Sequence, residues 1–173
     1  MHYWSARYTR ICAFVKELDL AMVPETPSTA QDCVCLAVRQ AARHVTQLYD
    51  RFLAPSGLRI TQFSLLAKLQ RQGPMTINAL AADMVMDRTT LGRNILPLER
   101  DALIRIEPTP SDRRSKVLHL TKRGEKRLQA AFKGWAEAQA CFQFTFGDAR
   151  SSDLRALLRT AAATQFVAED ADV

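Results

Sequence analysis

Arg88, Thr89, Thr90 and Arg93 crowd into one short stretch of the chain, and Asp112, Arg113, Arg114, Ser115 and Lys116 form a second polar run downstream of it. Guanidinium groups offer paired donors to phosphates and guanine edges, and short hydroxyls bond to phosphates or bases. Neither run contains a nucleophile beside a base or a set of metal ligands. The chemistry on offer is recognition of a polyanion, not bond breaking.

Two helices and a hairpin are needed to position these groups. Thr76 can cap a helix by accepting from an unpaired backbone amide, and Leu80, Ala81 and Met84 then recur at helical spacing. Asp87 predicts a second cap, with Leu91, Ile95 and Leu98 turned inward and Arg88, Thr89, Gly92 and Arg93 turned outward. The glycine suits a helix surface that must approach another surface closely. Further on, Arg105-Ile106-Glu107 and Lys116-Val117-Leu118-His119-Leu120 alternate like half-buried strands. Pro108, Pro110, Ser111 and Asp112 supply turn chemistry between them. Asp112 lies two residues before Arg114, close enough to aim that guanidinium by a charge-assisted bond. An aimed arginine on a protruding turn fits a narrow, electronegative minor groove of duplex DNA. A solvated charge cluster is the plainer reading of the turn alone; the capped helix pair ahead of it argues for a DNA reader.

Charge distribution agrees. Residues 59–127 hold 14 Lys and Arg against 7 Asp and Glu, a net of +7, while the flanks are near neutral, so this segment accounts for the chain's net charge of +6. A basic segment between neutral ones is the footprint of phosphate binding. With 173 residues and 47% hydrophobic content, the chain is long enough for one compact domain or two small intertwined ones. No apolar run approaches the roughly 20 residues of a membrane span, and no leader pattern opens the chain. The expected address is cytoplasmic, without membrane association, and Cys12, Cys33, Cys35 and Cys141 are expected to be reduced thiols.

The remaining periodicities predict six or seven helices and one hairpin. Trp4, Tyr8, Ile11, Val15, Leu18 and Met22 form a narrow helical stripe, followed by a Pro- and Thr-rich linker. A long helix should run from about Asp32 to Leu53, with Leu36, Val38, Ala41, Ala42, Val45, Leu48 and Phe52 on its apolar side, and Pro55-Ser56-Gly57 should end it. Thr61 is the expected cap of a helix from Gln62 to about Gln72. Thr121 should open a helix to about Phe146, with Leu128, Phe132, Trp135, Ala138 and Phe142 on one face. A last helix, from about Ser152 to Val167, should bury Leu154, Leu157, Leu158 and Ala161. Apolar stripes at both ends exceed what so small a central module can cover, which predicts a homodimer. Two-fold symmetry would place two recognition helices roughly 34 Å apart on a pseudo-palindromic operator.

These elements in this order, with Leu58-Arg59-Ile60-Thr61-Gln62-Phe63-Ser64-Leu65-Leu66, Met86-Asp87-Arg88-Thr89-Thr90-Leu91, Leu98-Glu99-Arg100-Asp101-Ala102-Leu103-Ile104 and the Asp112-Arg113-Arg114 turn, resemble the MarR family of dimeric winged-helix transcriptional regulators over about residues 32–168. The resemblance implies a mainly α fold with a small β-hairpin wing and an intertwined homodimer. Its parts would be an N-terminal extension (1–30), a helical dimerisation region (31–58 and 122–173) and a winged helix-turn-helix (59–121). It further implies a recognition helix from Asp87 in the major groove, Arg114 in the minor groove held by Asp112, and repression relieved by a small aromatic or phenolic effector, with no cofactor. The chain departs from the family pattern in places. Ala102 stands where glycine is common, which puts the usual left-handed helix stop in question. Pro97 falls inside the recognition helix and should bend or shorten its last turns. Residues 1–30 are longer than the family usually carries.

Arg39, Arg43, Phe63 and Trp135 are the candidate effector pocket, the arginines for a carboxylate and the aromatics as walls. The plainer reading makes the aromatics core and the arginines dimer contacts, with His44 a surface residue. Cys35 has a spacing to Arg43 and Tyr49 similar to that of the peroxide-sensing cysteine of the family's organic-hydroperoxide repressors, and Cys141 is placed as a resolving cysteine. A second tyrosine of those sensors falls at Ile60, which has no hydroxyl, and buried cysteines also act as inert hydrophobes. Cys33 and Cys35 as half a zinc site lack a second ligand pair. An enzyme finds little support, since His2, His44 and His119 are dispersed and no phosphate loop or nucleophile elbow is present. A thiol peroxidase built on Cys35, or an adaptor whose winged fold binds protein, are the other classes, and the basic hairpin weighs against both.

Overall fold

The computed structural model describes residues 33–109 and 112–165, with side chains assigned outside 109–115. The expected N-terminal stripe from Trp4 to Met22, Cys12 and the end of the last helix at Val167 lie outside the described residues. So do the turn at Pro110 and Ser111 and the side chains of Asp112, Arg113, Arg114 and Ser115. The chain divides after Ala41 into two compact units, and among the described residues the second, from Ala42 on, carries the sheet and every helix except the opening turns of the first.

Helix α1 (Val34–Leu53) crosses that division and ends in a single 3-10 turn (Ala54–Ser56). The expected Pro55-Ser56-Gly57 stop is present: the Ser56 hydroxyl donates to the Leu53 carbonyl at 2.6 Å, and Gly57 takes φ 71°. Helix α2 (Ile60–Gln72) comes next, then strand β1 (Met75–Thr76), helices α3 (Ile77–Asp83) and α4 (Arg88–Arg100), strands β2 (Ile104–Thr109) and β3 (Asp112–Leu120), and helices α5 (Lys122–Phe146) and α6 (Asp148–Ala163).

Three expectations about caps hold and one is corrected. Thr76 accepts from the Ala79 amide at 3.1 Å, Asp87 from the Thr90 amide at 2.8 Å and Thr121 from the Gly124 amide at 3.0 Å. Thr61 does not cap α2. The helix starts two residues earlier because the Asp50 carboxylate accepts from the Ile60 amide at 2.7 Å and the Gln62 side chain accepts from the Arg59 amide at 3.0 Å. A carboxylate ten residues upstream takes the part that the sequence assigned to a local threonine.

The sheet has three strands in the order β1-β3-β2, all antiparallel, with Met75 opposite Leu118 and Ile106 also opposite Leu118 on the other side. The sequence predicted only the hairpin. The strands also run further towards the tip than expected, so Asp112 to Ser115 are strand and not turn, and Pro108 sits inside β2 opposite Lys116. Proline is tolerated there because β2 is an edge strand and the register slips beside it, between Pro108 and Thr109.

One apolar core joins these elements. Leu91, Ile95 and Leu98 of α4 meet Leu80 and Ala81 of α3, Leu65, Leu66 and Leu69 of α2, Ile104 and Leu118 of the sheet, and Leu128 of α5, all buried. Gly134 lets α5 cross close to α1, since a Cβ there would overlap the Phe52 carbonyl oxygen. The expected burial along α6 is overturned: Leu157 and Leu158 are 69% and 44% exposed, Ala161 is exposed and Leu154 half-buried. On α1 the apolar side is buried only towards its end, at Tyr49 and Leu53.

Pro97 does not shorten α4, which continues to Arg100. Ala102 adopts φ 54° in place of the expected glycine, and the Leu103 amide donates to the Leu98 carbonyl while the Ala102 amide donates to Glu99, both at 2.8 Å. That is the Schellman pattern of helix closure. The left-handed stop is therefore present, built on alanine.

Candidate nucleic-acid interface

Helix α4 is held at both ends. Asp87 accepts from the Thr90 amide and from the Thr90 hydroxyl, the latter at 2.6 Å, which keeps its carboxyl below the usual carboxylate range. The Thr90 hydroxyl is thus donated within the cap, and Thr90 positions the helix start. Its carbonyl in turn accepts from the Asn94 side chain at 2.8 Å. At the far end the Thr121 hydroxyl donates to the carbonyls of Ala102 at 2.8 Å and Leu103 at 3.1 Å, tying the stop of α4 to the start of α5.

With Leu91, Ile95 and Leu98 buried, about 100° of rotation per residue places Thr89, Gly92, Arg93, Leu96 and Arg100 on the opposite arc. Thr89, Arg93, Leu96 and Arg100 are all exposed. Arg88 shares the azimuth of Ile95 and is exposed because it precedes the first buried turn. No atom outside the local helix backbone lies within 4 Å of where a Gly92 side chain would be, so one edge of this arc is open. Sequence reasoning missed Leu96 and Arg100. The helical period alone places both on the arc, but an apolar side chain gives no signal of belonging to a polar face.

The turn from α3 to α4 is also closed by a Schellman pattern, with the Met86 amide donating to Ala81 at 2.9 Å and Val85 to Ala82 at 3.1 Å. Val85 occupies its left-handed position at φ 51° and is 75% exposed. The Lys68 ammonium pairs with Asp83 at the end of α3 and keeps that carboxyl low. Strand β3 carries the backbone of Asp112 to Lys116 out along the wing. Lys116 is exposed, and on the outer face of the hairpin Glu107 bridges Arg105 at 3.2 Å and His119 at 3.3 Å.

The nominated pocket residues are not all brought together. Phe63 is buried and stacks on Trp135, with centroids 5.9 Å apart and planes 13° apart, while Phe132 meets both edge-on. These aromatics face one another as core walls. Arg39 and Arg43 are exposed on α1. A cavity of about 300 Å³ opens elsewhere, between one face of α1 (His44, Val45, Gln47, Leu48, Arg51) and the end of α5 (Cys141, Phe142, Thr145, Phe146). His44, which the sequence reads as a surface residue, and Cys141 both line it. Cys33 and Cys35 are exposed. The Tyr49 hydroxyl donates to the Gln139 side chain at 2.6 Å and burial raises its pKa, against the opposing effect of Arg155. That hydroxyl is engaged with α5. Among the described residues no group of side chains could hold a metal ion, and no helix is long and apolar enough to cross a membrane.

Known proteins share this geometry. The model of the MarR family matches residues 58–116, from the start of α2 to the wing. A Mycobacterium tuberculosis transcriptional regulator, MosR, solved in complex with DNA, is 39% identical, with a TM-score of 0.66 over 76% of this chain and 98% of that one. The uncharacterized HTH-type regulator YwoH of Bacillus subtilis is 30% identical over 53% of this chain and 66% of its own length. The repressor NicR of Pseudomonas putida is 26% identical over 64% of this chain and 70% of its own length.

Proposed function

This chain belongs to the MarR family of transcriptional regulators, and we propose that it is a sequence-specific, homodimeric DNA-binding repressor released by a small aromatic or phenolic effector. The observation that carries the reading is α4: a helix fixed at both ends whose outward arc, with Thr89 and Arg93, is open around Gly92 and lies in the segment that holds the whole basic excess. Arg93 and Arg88 read base edges or phosphates, and Arg114, with Arg113, Ser115, Lys116 and Asp112, serves the wing's contact with the adjacent groove. MosR has been solved with DNA and NicR is a repressor, which supports both halves of the proposal.

Dimerisation is supported by the exposure of Phe144, Leu157 and Leu158 on α5 and α6, at 92%, 69% and 44%. Apolar area of that kind calls for a cover, and a second copy supplies it symmetrically. For the effector, the cavity beside His44 and Arg51 has the space, since small-molecule sites begin at roughly 300 Å³. Phe142 and Phe146, with centroids 5.3 Å apart, offer its aromatic wall, and Arg51 or His44 an anion partner.

The test is titration of the full-length protein against a duplex selected by it from a random pool, across a range of salt. Arg93→Ala should weaken the selected duplex more than a scrambled one if it reads a base. Arg114→Ala should weaken both and flatten the salt dependence by about one ion per subunit. Failure to enrich any duplex, or affinity indifferent to salt, would dispose of the proposal.

A further inference from the structure

The large apolar side chains left exposed among the described residues fall into two groups. Eight lie on α1, α5 and α6, and two, Val85 and Leu96, lie on the helix-turn-helix. The partner subunit proposed above would cover the first group. Leu96 is different: it is 61% exposed in the middle of a helix whose apolar stripe lies on the other side. At about 100° per residue it falls within about 20° of Thr89, two turns further along, and within about 60° of Arg93. Gly92 lies between Thr89 and Leu96 along the helix, with open space above it. The arc is therefore arginine on one flank, glycine on the other and, along its centre, a methyl-bearing threonine and a leucine.

Resting on the reading of α4 as a recognition helix, we propose that Leu96 is a specificity-determining residue that selects thymine by packing on its C5-methyl group. Thymine is the one base that presents a methyl in the major groove. Leu96 can bond to no base edge, so opposite cytosine or adenine it would cover a donor and leave it unpaired, which costs more than an absent attraction. Against a thymine methyl the same side chain loses nothing polar and removes apolar surface from water. Gly92 contributes by its size, since any larger side chain there would hold the helix away from the groove floor beside Leu96.

The experiment replaces, one at a time, each thymine of the selected duplex by deoxyuridine, which removes only the methyl. Wild-type protein should lose about fourfold in affinity per recognition helix at one thymine of each half-site, the loss expected for one methyl-sized group. Leu96→Ala should bind the thymine and uracil duplexes equally, and Leu96→Met should restore part of the preference. Because Leu96 is exposed, Leu96→Ala should melt as wild type does, so any loss is read at the interface. The inference is overturned if wild type is indifferent to every uracil substitution, or if Leu96→Ala still discriminates as wild type does. A protein that selects no duplex at all would instead defeat the reading of α4 on which this rests.

Discussion

Thr121 donates its hydroxyl to the carbonyl of Ala102 at 2.8 Å, across the two strands of the wing that separate them in the chain. The residue that caps α5 therefore also holds the residue that ends α4. Ala102 is at φ 54°, a conformation that costs an L-residue with a Cβ roughly 1 to 2 kcal/mol.

Ala102→Gly should remove that cost while adding some entropy to the unfolded chain, a net gain of about 0.5 to 1 kcal/mol. The thermal midpoint should rise by about 1 to 4 °C for a chain of this size. A midpoint at or below that of wild type would show that Ala102 is not strained in solution.

Val85 makes a sharper case, since its β-branched side chain sits at φ 51° and is 75% exposed, with little packing to lose. Val85→Gly should stabilise the protein by about 1 kcal/mol or more. Differential scanning calorimetry of Val85→Gly, Ala102→Gly and the double variant should give additive gains, because the two sites close separate helices.

Much of this frame is legible in the sequence where the governing interaction is local. Thr76, Asp87 and Thr121 each bond an amide three residues ahead, so residue type and position suffice to find them. The inward stripe of α4 follows equally from its period. What escapes is set from a distance. The start of α2 depends on Asp50, β1 exists only because Met75 and Thr76 meet Leu118 and Val117, and no local rule marks Val85 or Ala102 as left-handed. Phe63 and Trp135 are legible as apolar aromatics on their helices, but their mutual stacking is a tertiary fact. Leu157 and Leu158 show the opposite limit: their spacing signals burial, yet nothing in one copy of the chain buries them.

Two glycines should respond to the same substitution with opposite signs. Gly134→Ala drives a Cβ into the Phe52 carbonyl oxygen, and should cost about 1 to 3 kcal/mol. Gly92→Ala meets nothing within 4 Å and should gain about 0.5 to 1 kcal/mol from helix propensity. Urea unfolding of the pair checks both, and equal shifts would contradict the close approach of α5 to α1.

Acid should loosen α4 at its start. The Asp87 carboxyl is held below its ordinary value of 3.8 by the bonds from Thr90. A carboxyl depressed in the folded state contributes stability that is present above that ordinary value and is lost as pH falls through the lower, folded one. Asp87→Asn should therefore melt at a midpoint that falls less steeply below pH 4 than that of wild type, measured by circular dichroism. Parallel pH profiles would mean that the cap carries no charge dependence.

Pro108 bears on how several copies of this protein behave side by side. Every open sheet carries two rims of unpaired backbone groups, and each rim is an invitation to strand addition by a neighbouring molecule. Here one rim is β2, where Pro108 has no amide to offer and the register slips directly after it; on the other side the two-residue β1 covers β3 only at Val117 and Leu118. A protein that gathers on closely spaced DNA sites would bring wings together at high local concentration. At the β2 rim Pro108 withholds the donor that an added strand would need, which works against neighbouring wings zipping together along that edge.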